Sequence, residues 1–410
     1  MTDVLPTIDS LNGFQVSGVF AGLRKDGRED FALFVSDRDC ATGAVFTTNT
    51  VKAACVQVDM ARMASHAHEI RAVVVNTKCA NACTGEEGIR NAERSAELVA
   101  AAIGCRAEQV LVLSTGVIGS QLPMDKIEHG VNLASAALGN HWLSAAIAIM
   151  TTDTRPKSAS VQVTLPSGGT VQIAGVSKGS GMIAPNMATM LGVIVTDAAL
   201  TPAETQAMLS VANAQTFNRI VVDGDTSTND TVFLLANGAS GVQLLTDADR
   251  AAFQAGLNAV AQSLAQAVVR DGEGVTKFVT LHVSGATSDA DAHKIANTIA
   301  TSPLVKTALF GSDANWGRIV AAAGRAGVPF EPTRAQLHIQ VGQDTQATPD
   351  AVLLFKGGMP TGYAEADAMG VMAAAEIAIL LDCGIGNGSA TVWTCDLSYD
   401  YVKINGDYRS

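Results

Sequence analysis

Short apolar runs bounded by turn residues occur along the whole chain, and helical patterns are interspersed among them in runs of unequal length. A strict alternation of strand and helix would favour a doubly wound parallel sheet. The unequal runs instead predict an α+β fold with largely antiparallel sheets. At 410 residues the chain exceeds the size at which a single core usually divides, so we expect two lobes or domains.

Apolar periodicity and turn residues place the individual elements. Strands are predicted at Phe31–Val35, Ala44–Thr48, Ala72–Val75, Val110–Leu113, Thr189–Val195 and Lys277–Val283, with a hairpin over Val161–Ile173 and an alternating tail over Ala390–Val402. Helices are predicted at Ala96–Ile103, Leu133–Met150, Asp247–Val269, Asp289–Ile299 and Trp316–Ala326. A further helix is predicted to begin after Thr201. Thr201 is suited to the N-cap, the proline after it to the first helical position, and Glu204 to the other half of a capping box.

Composition and charge exclude several classes of protein. Apolar residues make up 48% of the chain and charged residues 16%, which is typical of a globular protein with a large core. The net charge of −12 would repel a phosphate backbone, so we expect no nucleic-acid partner. The first residues show no signal peptide, and no apolar stretch reaches the ~20 residues of a membrane span. We therefore expect a cytoplasmic protein.

The seven cysteines are too few and too scattered for a disulfide framework, and we expect free thiols. Cys79 and Cys83 resemble half of a zinc site, but no second pair at zinc spacing accompanies them. No P-loop and no GxGxxG motif follows a strand, which disfavours nucleotide chemistry. The sequence therefore predicts no metal and no cofactor.

Thr189 stands at the edge of a predicted buried strand and follows a glycine-rich segment. A threonine hydroxyl needs a base to act as a nucleophile, and an N-terminal threonine has one in its own α-amine. The α-amine has a reference pKa of about 7.7–8.0, so an appreciable part of it is neutral near pH 7.4. Because threonine is common at the start of strands, these residues alone leave a purely structural role open.

The stretch Lys178–Leu191, which reads KGSGMIAPNMATML, resembles the self-cleavage segment of the ornithine acetyltransferase (glutamate N-acetyltransferase) family. The resemblance implies a cut between Ala188 and Thr189 and Thr189 as the nucleophile. An α chain of residues 1–188 and a β chain of residues 189–410 would result. It also implies a four-layer αββα sandwich and assembly of the two chains as an α2β2 heterotetramer.

Further segments extend the resemblance over nearly the whole chain. Ser114–Gly119, which reads STGVIG, matches the oxyanion-hole segment of the family, and this implies the Thr115 hydroxyl and the Gly116 N–H as donors. Physically, a strand that runs into a glycine turn is able to aim an N–H at a developing oxyanion. The substrate contacts implied by the matching positions are Thr152, Lys178, Thr189, Glu273, Asn405 and Ser410.

The implied reaction is ping-pong acyl transfer. Thr189 takes the acetyl group of N-acetylornithine, ornithine leaves, and glutamate accepts the acetyl group. Lys178 would neutralise an α-carboxylate and Glu273 would pair with the ornithine ammonium group. Acetyl-CoA is a candidate co-substrate, which leaves open whether the enzyme has one donor or two.

Some positions depart from the family pattern or carry a simpler interpretation. Thr77, Lys78 and Cys79 replace three small or polar residues, and Cys55 stands where proline is frequent, which leaves the acceptor specificity open. Asp223–Asp230, which reads DGDTSTND, matches a family signature but lacks the spacing of an EF-hand. We predict a turn held by side-chain hydrogen bonds there.

Two other functions remain open from the sequence. An N-terminal-nucleophile amidohydrolase or aminopeptidase would use the same nucleophile and pass the acyl group to water. A non-catalytic homologue that stays uncut would keep the fold without the chemistry.

Overall fold

The structure of the chain is a computed structural model that describes residue 8 and residues 11–184 and 190–407. The chain divides into two compact units, as its length predicts. Unit 1 comprises residues 1–179, 186–218 and 225–268, and unit 2 comprises residues 180–185, 219–224 and 269–410. Both units draw on residues from either side of position 189, so neither corresponds to one of the predicted α and β chains.

Unit 1 is built on an eight-stranded sheet with the strand order β4-β3-β2-β8-β7-β6-β5, in which β1 also pairs with β2. The strands are β1 (Phe14–Val19), β2 (Phe31–Phe46), β3 (Ile70–Asn76), β4 (Val110–Ser114), β5 (Lys157–Thr164), β6 (Thr170–Lys178), β7 (Leu191–Thr196) and β8 (Thr231–Ala236). The helices are α1 (Ala54–His66), α2 (Gly85–Ile103), α3 (Met124–Ala136), α4 (Trp142–Ala148), α5 (Pro202–Gln215) and α6 (Asp247–Arg270).

The strands β7 and β8 form the middle of this sheet. Every residue of both strands is buried, which explains why they read as continuous apolar runs and not as an alternating pattern. β7 pairs antiparallel with β6 and parallel with β8, and β8 in turn pairs antiparallel with β2. The sheet is therefore continuous only when β7 and β8 are in place.

Side chains that alternate along the strands of unit 1 divide into two cores. One face, with Phe31, Leu33 and Val112 among its residues, packs against α1, α2 and α3. The opposite face, with Phe34 and Val193, packs against α4. The ends of the strands that carry the candidate catalytic residues thus belong to a sheet covered by helices.

Unit 2 is built on a six-stranded sheet with the order β12-β11-β10-β13-β9-β14. Its strands are β9 (Phe278–Ala286), β10 (Gln336–Val341), β11 (Val352–Lys356), β12 (Met359–Pro360), β13 (Glu376–Asp382) and β14 (Gly388–Cys395). Its helices are α7 (Asp289–Ala300), α8 (Pro303–Phe310), α9 (Trp316–Gly324), α10 (Glu365–Met372) and α11 (Tyr399–Gly406). Leu281 and Ile379 belong to one apolar core with α7, α8, α9 and α10.

The predicted α+β class and the predominance of antiparallel pairing are confirmed. Of the twelve strand pairings in the described part of the chain, three are parallel: β3 with β4, β7 with β8, and β9 with β13. Each unit therefore has a mixed sheet in which antiparallel neighbours dominate.

The predicted helix over Leu133–Met150 is wrong in its continuity. Two separate helices, α3 and α4, occupy this stretch. The break has a clear cause, because the backbone of Val16 in β1 exchanges two hydrogen bonds with Gly139, one in each direction. Glycine is a weak helix former, so this pairing wins over the alanine-rich pattern around it.

Two strand predictions also need correction. Phe31–Val35 and Ala44–Thr48 are not separate strands: the first and the start of the second lie in the single strand β2, which ends at Phe46 and bulges between Val35 and Cys40 as it changes partners. The tail does not alternate as far as Val402: β14 ends at Cys395, and α11 begins after Ser398, whose side chain accepts a hydrogen bond from the Tyr401 N–H.

Other predictions are confirmed. The Thr201 hydroxyl accepts from the Glu204 N–H while the Glu204 carboxylate accepts from the Thr201 N–H, which is the capping box expected at the start of α5. All seven cysteines are free thiols, and five of them are buried. None of the helices in the described part of the chain has the length and apolar character needed to span a bilayer.

Candidate active site

The predicted oxyanion donors lie where β4 ends. The Thr115 N–H donates to the Asn76 carbonyl and the Val117 N–H to the Lys78 carbonyl, so the chain is held on both sides of Gly116. None of the described residues accepts a hydrogen bond from the Gly116 N–H. This donor is therefore available for another acceptor, and its role in an oxyanion hole stays a prediction.

Only glycine fits at position 116. Its φ is +139°, a conformation that residues with a side chain rarely adopt. A Cβ at this position would come within 2.2 Å of the Lys78 carbonyl carbon and 2.5 Å of the Cys79 nitrogen. The close approach of the Lys78 backbone fixes the peptide plane that carries the Gly116 N–H.

Two asparagines brace this turn. Asn76 donates its side-chain N–H to the Cys79 carbonyl and accepts a 2.7 Å hydrogen bond from the Ser114 hydroxyl. Asn229 donates to the Ser114 carbonyl at 2.8 Å and to the Ala80 carbonyl at 2.6 Å. Both asparagines are buried, and they tie the end of β4 to the segment around Lys78.

Lys178, the last residue of β6, lies beside Thr115. Its Nζ donates to the Thr115 Oγ1 at 3.2 Å, and its side chain is buried. The lysine occupies an acceptor position of the hydroxyl, and the hydroxyl proton remains a donor. The structure thus brings together three of the predicted site residues, Thr115, Gly116 and Lys178.

A buried ion pair supports this lysine. Lys157 donates to the Asp153 carboxylate at 2.7 Å, and both side chains are almost completely buried. The same carboxylate oxygen accepts a 2.7 Å hydrogen bond from the N–H of Gly179, the residue after Lys178. Burial opposes the charge on Asp153, but the attraction of Lys157 and Lys178 outweighs it and holds the pKa of this carboxyl below its usual range.

Thr152 immediately precedes Asp153 and is half-buried. The second Asp153 oxygen accepts from the Thr151 N–H at 2.9 Å, so the backbone on the amino side of Thr152 is held by the same carboxylate that holds Gly179. The structure thereby links the segment that carries Thr152 to the end of β6.

Asp230 lies just before β8 and is fully buried. Its Oδ1 accepts from the Met190 N–H at 2.9 Å, and among the described residues its Oδ2 has no hydrogen-bond partner. Burial raises the pKa of this carboxyl well above its usual value, although the Met190 N–H and the charge of Lys178 act in the opposite direction. Burial therefore favours the protonated form of Asp230 relative to an exposed aspartate.

In unit 2, Glu273 and Asn405 are in contact. The Asn405 side chain donates to the Glu273 Oε2 at 2.8 Å from the exposed surface of α11. The Glu273 N–H donates to the Ser180 carbonyl, and a Cβ at Gly181 would fall 2.3 Å from the Glu273 Oε2. Glycine at 181 thus lets the backbone lie directly against the carboxylate.

The remaining predicted site residues cannot be placed. Ala188, Thr189 and Ser410 lie outside the described residues. Within residues 11–184 and 190–407, no group of three or more His, Cys, Asp or Glu side chains is arranged to hold a metal ion.

The positions that depart from the family pattern have individual environments. Thr77 is buried and donates its hydroxyl to the Asp30 carbonyl, and the Cys79 thiol donates to the Ser120 carbonyl. Lys78 has an exposed side chain and a φ of +69°. Partial burial and then the nearby Arg24 lower the pKa of Lys78. The Lys78 backbone therefore shapes the oxyanion turn while its side chain points away from the core.

Sequence reasoning missed the roles of Asp153, Lys157, Asn229 and Asp230. Asn229 and Asp230 stand in a motif that was recognised, and Asp153 follows the predicted contact Thr152, so a polar residue inside or beside a matching segment was the available signal. Lys157 had none, because an isolated lysine gives no hint that it is buried. The segment from Asp313 to Arg318 has a structural role, because the Asn315 side chain caps α9 by accepting from the Arg318 N–H.

A hydroxyl and an available N–H at a strand end, next to a buried ammonium group, are the elements of an acyl-transfer site. The ArgJ family model matches residues 15–410. The arginine biosynthesis bifunctional protein ArgJ of Geobacter sulfurreducens is 49% identical, over 98% of this chain and 100% of its own. The protein of the same name from Chlorobaculum tepidum is 47% identical, over 97% of this chain and 96% of its own.

A crystal structure of the ornithine acetyltransferase of Mycobacterium tuberculosis in complex with ornithine is also similar. It is 37% identical with a TM-score of 0.40, and the match covers 44% of this chain and 94% of that one. The family match and the two relatives together are decisive. The chain belongs to the ArgJ family.

Proposed function

We propose that this protein is an acetyltransferase of arginine biosynthesis that moves the acetyl group of N-acetylornithine to glutamate. The single observation that carries the proposal is the end of β4, where the Thr115 hydroxyl and the Gly116 N–H lie beside the Lys178 ammonium group. Membership of the ArgJ family joins this geometry to acetyl transfer.

The proposed nucleophile is Thr189. Its hydroxyl attacks the acetyl carbonyl while its α-amine takes the hydroxyl proton. Thr115 and Gly116 donate to the oxyanion, the C–N bond of N-acetylornithine breaks, and ornithine leaves with the proton. The α-amine of glutamate then attacks the acetyl-threonine ester, which forms N-acetylglutamate and restores the Thr189 hydroxyl.

The substrates of both half-reactions carry an α-carboxylate. We assign its binding to Lys178, because this buried ammonium group lies beside the Thr115 hydroxyl at the end of β4. We assign the ammonium group of ornithine to Glu273. Thr152, Asn405 and Ser410 are the further proposed substrate contacts.

The free α-amine of Thr189 requires that the chain is cut before it. We propose that the Thr189 hydroxyl attacks the Ala188 carbonyl, the peptide C–N bond breaks, and the hydroxyl proton passes to the released amine. Water then hydrolyses the ester and leaves the Ala188 carboxylate and a free threonine. The products are residues 1–188 and residues 189–410.

The proposed assembly is an α2β2 heterotetramer that acts in the cytoplasm. The sheet of unit 1 supports the αβ pair, since it contains strands from both products. Light scattering tests the tetramer, because two copies of a 42.2 kDa precursor have a mass of about 84 kDa whether cut or not.

Acetyl-CoA is a second donor that we propose separately, and no other cofactor enters the chemistry. Attack on a thioester uses the same hydroxyl and the same oxyanion donors. Release of the CoA thiol in the presence of glutamate tests this, and its absence would limit the enzyme to N-acetylornithine.

The decisive experiment follows the acetyl group. With N-acetylornithine alone, the peptide that begins at Thr189 should gain about 42 Da, and glutamate should remove it as N-acetylglutamate. Thr189→Ala should abolish both cutting and transfer, while Thr189→Ser should retain part of each because it keeps the hydroxyl. Product formation without a labelled Thr189 would replace the covalent mechanism by direct transfer. Acetate in place of N-acetylglutamate would instead identify a hydrolase.

A further inference from the structure

The segment Asp223–Asp230 begins and ends with a carboxyl group that binds backbone N–H groups near the proposed cut. Asp223 binds residues that precede Ala188 in the chain, and Asp230 binds the residue that follows Thr189. Neither aspartate has a part in the acetyl transfer described above.

Asp223 holds the acyl side within unit 2. Its carboxylate accepts from the Met182 N–H at 2.5 Å and from the Ile183 N–H at 2.8 Å. The Ile183 carbonyl in turn accepts from the Val222 N–H at 2.8 Å. The Tyr401 hydroxyl of α11 donates to the same carboxylate at 3.2 Å.

The conformation of this segment needs such an anchor. Met182 has a φ of +58°, which a residue with a long side chain adopts only when its surroundings enforce it. Two N–H groups on one charged acceptor supply that constraint, since hydrogen bonds to charged groups are stronger than those between neutral groups.

Asp230 holds the amine side within unit 1. Its carboxyl group accepts a hydrogen bond from the Met190 N–H, which belongs to the peptide bond between Thr189 and Met190. The Met190 carbonyl accepts from the Thr231 N–H at 3.1 Å, so both polar groups of the Met190 backbone are held by consecutive residues. A buried carboxyl oxygen without a partner among the described residues is costly and calls for a functional reason.

We propose that Asp223 and Asp230 are positioning residues for self-cleavage, one on each side of the cut bond. An intramolecular attack gains most of its rate from holding the reacting groups close together, and anchored flanks restrict their motion. This inference rests on the cleavage proposed above. It adds the residues that make the bond reactive.

The test is the rate at which freshly made full-length chain converts to the two fragments. Asp223→Ala and Asp230→Ala should each cut about 10- to 100-fold more slowly, the effect of losing hydrogen bonds to a well-placed carboxyl group. Asp230→Asn should stay within about threefold of wild type, because a neutral amide oxygen still accepts the Met190 N–H. For Asp223→Ala, cutting should slow more than transfer per cut chain, since the acyl side is no longer bonded to Thr189 after the cut.

Asp59→Ala is the matched control. Asp59 is also a fully buried aspartate of unit 1 that accepts a backbone N–H, that of Val112, and burial also raises its pKa. The folded fraction of Asp59→Ala should cut at the wild-type rate. Equal slowing in this control, or normal cutting in both test variants, overturns the inference and leaves the proposed function intact. A wild-type chain that never cuts overturns the proposed cleavage and this inference together.

Discussion

The Lys178 Nζ donates a hydrogen bond to the Thr115 Oγ1 at 3.2 Å, although the two residues are 63 positions apart in the chain. The end of β6 and the end of β4 are therefore one functional unit. The lysine orients the hydroxyl so that its proton is directed away from the ammonium group. We therefore expect Thr115 and Lys178 to make separate, measurable contributions to catalysis.

Removal of the Thr115 hydroxyl should affect the transition state more than the substrate. Thr115→Ala is expected to lower kcat by about 10²–10³, which is typical for the loss of one oxyanion donor. Thr115→Ser keeps a hydroxyl and should recover most of the activity. Steady-state kinetics and a melting curve check both variants, and wild-type turnover in Thr115→Ala would remove this residue from the mechanism.

Removal of the Lys178 charge should weaken the binding of both amino-acid substrates. Lys178→Ala is expected to raise KM for N-acetylornithine and for glutamate by about tenfold or more, because a charged hydrogen bond is lost in each case. Lys126 donates to the Gly22 carbonyl at the exposed surface, so Lys126→Ala is the matched control. A rise in only one KM would show that the two carboxylates bind at different places.

The two cleavage products should remain associated. Residues 189–410 contribute β7 and β8, which lie between β6 and β2 of the other product. We expect fragments of about 19 and about 23 kDa that elute together and separate only under denaturing conditions, with Thr-Met-Leu-Gly at the start of the larger one. Separation under native conditions, or another N-terminal sequence, would contradict the site assignment.

The pH dependence of stability should change when Asp230 is replaced by asparagine. The pKa of the Asp230 carboxyl is raised in the folded state. Its contribution to the free energy of unfolding is complete below the pKa that it has in the unfolded chain, near 3.9, and is lost as the pH rises toward its pKa in the folded chain. Asparagine does not titrate, so Asp230→Asn should become more stable relative to wild type as the pH rises. The Tm of Asp230→Asn should therefore rise relative to that of wild type between pH 5 and pH 8. A difference independent of pH would show that Asp230 titrates normally.

The sequence predicted those elements whose pattern depends on their own residues. The continuous apolar run of β7 and the capping residues of α5 are local signals, and both were interpreted correctly. The break between α3 and α4 was not predictable in this way, because a partner about 120 residues away, Val16, draws Gly139 out of the helical pattern. Long-range backbone pairing leaves no periodicity in the sequence.

The residues of the candidate site also differ in whether the sequence could predict them. Thr115, Gly116 and Lys178 were predicted from motifs, and the structure brings them together. Lys157 and Asp153 were not assigned a role, because the value of a charged pair depends on burial, and burial arises from the sheet as a whole.

The position of β7 has a consequence for the history of each molecule. Met190 is anchored by Asp230 and Thr231, and these contacts exist only after β7 has paired with β8 inside the sheet. Under the proposed cleavage, the bond before Thr189 becomes reactive only in this arrangement and therefore breaks only in chains that have already folded. The cut then serves as a permanent covalent record of correct assembly. The ratio of intact to divided chains in a cell extract therefore measures how many copies reached the native state.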